Sequence, residues 1–134
     1  MGWQTGAVTD ASNRVDQDLQ DLVGDWLTVP DAAERVGVPL SRIRQWIADR
    51  EVLAARVGER SVVAVPARFF DESGPRSDLK GTVTVLADGG MDDAEIIRWL
   101  FTPDATLPVD GAPIDALWAG HKREVRRRAQ AEAL

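Results

Sequence analysis

A mainly α-helical fold with one small antiparallel β wing is predicted by three observations. Two short helical patterns are separated only by Gly37-Val38-Pro39, the apolar period falls to two between Val52 and Val65, and it returns to three- and four-residue spacings beyond Leu79. A chain of 134 residues has room for one compact domain, or for a small domain with a second helical unit packed on it, and not for two large ones. Its 44% apolar and 28% charged residues place it among globular chains that bury a real core.

The elements follow in order. Residues 1–14, with Gly2, Thr5, Gly6, Thr9, Ser12 and Asn13, read as a mobile tail. Leu19, Leu22, Val23 and Trp26 suit a short amphipathic helix leading into the domain. Thr28 is placed to cap the next helix, Pro30 suits its first turn, and Asp31 and Glu34 sit where the helix dipole favours acid. Gly37 ends that helix and Pro39 starts another after a tight corner. In this second helix Ile43, Trp46 and Ile47 share a face, which leaves Ser41, Arg42, Arg44 and Gln45 outward.

Val52–Val57 and Ser61–Val65 then alternate like strands, with Gly58-Glu59 between them in the place of a type II′ turn and Arg56 and Arg60 beside its tip. Ala67–Phe70 reads as a short apolar helical turn, and residues 71–78 as a linker or loop. Thr82-Val83-Thr84-Val85 has strand propensity, but its setting between helices favours a helix over Leu79–Asp88. Asp88-Gly89-Gly90 stops it, and Asp92 with Glu95 forms a reciprocal cap for a helix through Phe101. Pro113 opens a last helical region marked by Ile114, Leu117, Trp118 and Val125, which Gly120 kinks or splits. Trp46, Trp99 and Trp118 fall on apolar stripes and are expected in the core, and Trp3 is expected outside it. The division is a tail (1–14), a winged helix-turn-helix (15–70) and a C-terminal helical unit (79–133).

Several function classes drop out. The chain has no cysteine, so disulfides and thiolate metal sites are impossible. His121 stands alone, and the acids Asp88, Asp92, Asp93 and Glu95 lack the alternation of a calcium loop, so no metal and no cofactor is expected. No phosphate loop or nucleophile elbow is present and no active site assembles, so the expectation is not an enzyme. No stretch is apolar enough to span a membrane and Met1–Ser12 is no signal segment, so a soluble cytoplasmic protein is expected.

The net charge of −6 opposes nucleic acid at first sight. Its distribution does not: residues 1–27 carry −4 and residues 67–120 carry −6, whereas residues 28–66 carry +1 and the last fourteen carry +3. The local field governs a groove contact, and the acid is concentrated outside the helix-turn-helix.

Residues 26–66, WLTVPDAAERVGVPLSRIRQWIADREVLAARVGERSVVAVP, resemble the winged helix-turn-helix of excisionase-like and MerR-like DNA-binding proteins. The likeness rests on Leu27-Thr28, Ala32-Ala33, Val36-Gly37-Val38, Ile43, Ile47 and Val57-Gly58; Pro39 departs from it, standing where a capping Ser or Thr is usual. Nearly the whole chain is similar to small actinobacterial winged-helix DNA-binding proteins regarded as Ser/Thr-kinase substrates, through Ile96–Asp104, Pro113–Leu117 and Arg123-Glu124-Val125. The segment 96–130 also resembles the C-terminal domain of Xre-type antitoxins, which implies a protein-partner or homodimer surface.

A projecting second helix can enter a major groove about 12 Å wide. There Arg42 and Arg44 can meet guanine edges or phosphates, Gln45 can bond adenine, and Ser41 can hold a phosphate; Arg56 and Arg60 would meet phosphate or the minor groove. Duplex DNA is the expected partner and regulation of transcription the expected role. Thr5, Thr9 and Ser12 in the tail are candidate sites for a Ser/Thr protein kinase, where a phosphate would oppose DNA. The alternative is a protein–protein adaptor or antitoxin-like partner acting through the C-terminal helices. The basic run Lys122–Arg128 has two readings, a solvated helix end favoured by the dipole at a helix C-terminus and a contact to backbone phosphate.

Overall fold

A computed structural model describes residues 16–133 of the chain. Helix α1 (Gln17–Val23) is capped by the Asp16 carboxylate, which accepts from the Leu19 N–H, and is ended by Gly24 at φ +79°. That glycine turns the chain into a strand, β1 (Trp26–Thr28), so Trp26 belongs to a sheet and not to the first helix. Thr28 then caps α2 (Val29–Val36), accepting from the Asp31 N–H at 3.3 Å, and Gly37 closes it in the left-handed region. After a two-residue corner comes α3 (Leu40–Ala48), whose start at Pro39 has no side-chain cap.

Strands β2 (Ala55–Val57) and β3 (Val62–Pro66) form the wing. The three-stranded antiparallel sheet runs β1-β3-β2, pairing Trp26 with Pro66 and Val57 with Val62. That register leaves residues 58–61 as a four-residue loop in place of the expected two-residue type II′ turn. Ser61, at φ +52°, and Gly58, at φ +74°, supply the left-handed conformations that close it.

A 3-10 turn (Ala67–Phe69) leads into β4 (Phe70–Asp71) and β5 (Gly74–Pro75). The segment expected to be a linker or loop therefore opens with a second, two-stranded hairpin. Gly74 is required twice over: its φ is +136°, and a Cβ there would lie 3.1 Å from the Trp46 ring.

The C-terminal helices are α4 (Leu79–Asp88), α5 (Asp93–Phe101), α6 (Pro113–Trp118) and α7 (Lys122–Ala133). Leu79–Asp88 is helical despite its β-branched run, because Leu79, Thr82, Val83 and Leu86 all turn into the core and α7 packs along it. Asp92 and Glu95 make the expected capping box on α5. Gly120, at φ +91°, splits the last helical region into α6 and α7.

One apolar cluster runs through both halves, from Leu19, Ile43 and Phe69 to Leu100, Leu117 and Val125. Phe69 and Phe101 meet at 5.8 Å between ring centroids, and α1 packs on α5. Trp118 departs from expectation: it is 38% exposed, with its indole N–H donating to the Arg68 carbonyl at 2.9 Å. A polar partner outside the core holds the ring at the surface. Trp46 and Trp99 are half-buried. Trp3 and the residues of the expected tail lie outside the described residues.

Candidate nucleic-acid interface

Helix α3 owes its placement to Ile43, which is fully buried, and to the half-buried Trp46 and Ile47 behind it. Trp46 packs on Phe70, 6.2 Å between centroids, and against Gly74, so the second hairpin is a buttress for the helix. With that face anchored, Ser41, Arg42, Arg44 and Gln45 are all exposed. Residues two apart on a helix point roughly 160° from one another. Ser41 and Gln45, four apart, therefore form the middle of the outward face, and Arg42 and Arg44 flank it on opposite sides.

Gln45 is not idle: its Nε2 donates to the Asp49 carboxylate at 3.0 Å. Both groups are exposed, so a base edge can compete for that amide at little cost. On the wing, Arg56 and Arg60 are exposed, and Arg56 donates one N–H to the Ser61 carbonyl at 3.0 Å. Arg56 thus closes the loop and still presents its remaining donors. The wing tip is held from the other side as well, because the Gly58 N–H donates to the Gln20 side-chain carbonyl on α1 at 3.1 Å.

The arginines sort by partner. Away from the helix-turn-helix most are paired, Arg68 with Asp115 at 2.6 Å, Arg76 with Asp78 at 2.9 Å, Arg98 with Asp16 at 3.1 Å, and Arg127 and Arg128 with Glu124, while Arg123 and Arg126 have no carboxylate within pairing distance among the described residues. Arg50, just past α3, reaches Asp93 at 2.9 Å. Among the described residues Arg35, Arg42, Arg44 and Arg60 have no carboxylate within pairing distance, and Arg56 touches only a carbonyl. Exposed cations without internal partners can meet an external anion with no bond to break first.

Three residues were not singled out from the sequence. Arg35 ends α2, exposed and unpaired among the described residues. Leu40, at three residues before Ile43, has core spacing, yet it is 40% exposed as the first residue of α3, where no preceding turn covers it. Gln20 acts across 38 residues, and no local pattern signals such a contact.

A cleft of about 520 Å³ opens between Asp25, Arg35, Arg68, Phe70, Glu72 and Trp118. Asp71 also lines it, so three carboxylates oppose two guanidiniums, one of them held by Asp115. That balance gives the cleft no preference for an anion, unlike α3 and the wing. No helix among the described residues is long and apolar enough to cross a membrane.

Comparison with known proteins agrees with this geometry. Residues 14–70 match the family described as "DNA-binding protein Rv2175c, wHTH domain", and residues 77–133 match "Rv2175c C-terminal domain of unknown function". The chain is 43% identical over 116 residues to the DNA-binding protein Rv2175c of Mycobacterium tuberculosis (strain ATCC 25618 / H37Rv), an alignment covering 78% of each chain. The solved NMR structure of Rv2175c superposes with a TM-score of 0.73 at 38% identity, over 82% of each chain. The chain belongs to the Rv2175c family, a family of winged helix-turn-helix DNA-binding proteins and not of enzymes.

Proposed function

We propose that this protein reads duplex DNA through α3 and the wing and regulates transcription. The observation that carries the reading is the set of exposed arginines on α2, α3 and the wing that have no carboxylate partner among the described residues, in a chain whose other arginines are mostly paired. The relative's name, DNA-binding protein Rv2175c, supports it. In this reading Ser41 and Gln45 face the floor of the major groove, Arg42 and Arg44 reach its two walls, and Arg56 and Arg60 hold the flanking backbone. A single recognition helix reads a short site, so the reading includes a second copy or a neighbouring protein on the same duplex. The antitoxin-like likeness of residues 96–130 supports the C-terminal helices as that contact.

The same reading makes the N-terminal segment a charge switch. A phosphate on Thr5, Thr9 or Ser12 adds about −1.5 to −2 charges ahead of an α1 already rich in aspartate, the helix that holds the wing tip. The test is fluorescence anisotropy of the full chain on random-sequence duplexes at two salt concentrations. Binding is expected to weaken steeply with salt, and Arg42→Ala with Arg44→Ala is expected to weaken it further. Salt-independent or absent binding, together with a stoichiometric protein partner recovered by pull-down, would transfer the function to the C-terminal helices.

A further inference from the structure

The basic run of the last helix is where the structure departs most from what local rules explain. Cations near the C-terminus of a long final helix are favoured by its dipole. Gly120 removes that explanation: it ends α6, and Lys122 and Arg123 become the first turn of a new helix, at the positive end of its dipole. The last turn of α7 carries no basic residue at all. Glu124, the acid of the first turn, faces Arg127 and Arg128 instead.

Lys122, Arg123 and Arg126 are exposed and have no carboxylate within pairing distance among the described residues. Two unpaired cations, Lys122 and Arg123, stand at an end of a helix that already repels cations, with unpaired Arg126 one turn further on, an arrangement that disfavours the fold and favours an external anion. Their location adds to this. The Arg126 guanidinium lies over Gly81 in the first turn of α4, so closely that any side chain at Gly81 would collide with it. The adjoining Lys80 is bridged at 3.2 Å to Glu51, which follows α3 by three residues. The cationic end of α7 is thereby tied, through the start of α4, to the end of the recognition helix.

We infer that Lys122, Arg123 and Arg126 form a second contact to the phosphate backbone of the same duplex, outside the groove occupied by α3. The inference rests on the DNA-reading function proposed above. It makes the footprint longer than a lone winged helix-turn-helix would give, and it assigns the C-terminal domain a part in affinity without sequence preference.

The experiment measures the full chain on random-sequence duplexes of about 12 and about 30 base pairs over a potassium chloride series. Each backbone contact contributes about 0.9 to the slope of log affinity against log salt. Lys122→Ala with Arg123→Ala and Arg126→Ala is expected to make that slope shallower by about 2 to 3 on the long duplex and to change it little on the short one. Because Arg126 packs on Gly81, the Lys122→Ala, Arg123→Ala double variant is run beside it, with an expected loss of about 2. Wild-type binding with salt dependence unchanged in both variants overturns this inference alone. Absence of wild-type DNA binding overturns the proposed function and this inference with it. Variants that keep the DNA slope but lose binding to phosphatidylglycerol vesicles would assign the patch to a lipid surface and overturn it too.

Discussion

Thr82 is fully buried in α4, and its hydroxyl has no hydrogen-bond partner among the described residues. A buried donor left unmade costs about 1–3 kcal/mol, whereas a methyl of the same shape costs nothing of that kind. Thr82→Val is therefore expected to stabilise the protein by about 1 kcal/mol, read as a rise of a few degrees in the thermal midpoint. A lower midpoint would show that the hydroxyl is satisfied. Thr84, one turn-face away and exposed, differs because its hydroxyl donates to the Lys80 carbonyl at 2.8 Å. The same scale separates Ile43 from Leu40. Three-residue spacing puts both on the apolar face of α3, but only Ile43 has neighbours on every side. Core spacing was legible in the sequence; the loss of cover at a helix start was not.

At the scale of elements, the wing depends on α1. Arg56 closes the loop from within, and Gln20 holds Gly58 from outside. Gln20→Ala removes the hydrogen bond to the Gly58 amide, worth about 0.5–1.5 kcal/mol, and leaves the apolar face of α1 intact. The expected outcome is faster hydrogen exchange at the Gly58 amide and a DNA affinity lower by roughly two- to tenfold, with the thermal midpoint lower by a few degrees. Unaltered exchange at Gly58 would mean that the wing positions itself. The helices of this region were legible because caps and breakers are local: Thr28, Gly37, Asp92 and Glu95 act within three or four residues. The strand β1 was not legible. Three residues after Gly24 carry no periodicity, and Trp26–Thr28 becomes a strand only because β3 lies beside it.

For the whole molecule, the joint between the winged half and the C-terminal helices is built from charge laid over a shared core. Arg68 holds Asp115, whose other oxygen accepts from the Ala112 N–H at 2.7 Å. Burial would raise the Asp115 pKa, but the Ala112 N–H and the Arg68 guanidinium together outweigh it and hold it below the ordinary value. Asp104 is lowered as well, chiefly by hydrogen bonds from Thr106, and then by Arg128. Glu124 is lowered to about 2 by hydrogen bonds from Arg127 and then Arg128. A carboxylate whose folded pKa is depressed stabilises the fold above its unfolded pKa, and that contribution is lost as pH falls through the folded value. For Glu124 the window runs from 4.5 down to about 2. Circular dichroism is expected to show stability falling across this range, with Glu124→Gln less stable at neutral pH and less sensitive to acid. An equal acid response in wild type and variant would remove Glu124 from the account.

The sequence by itself determined what short-range chemistry controls: the helix ends, the buried stripes, the outward arginines of α3 and the wing, and the absence of any thiolate site. Capping, dipole and periodicity act within a few residues, so they can be read from one chain segment. Only the tertiary structure decided which cations were already paired and what holds the wing. Many of those depend on groups far apart in sequence, as with Arg128 and Asp104, 24 residues apart, or Arg98 and Asp16, 82 apart, and separation in sequence carries no signal of proximity in space.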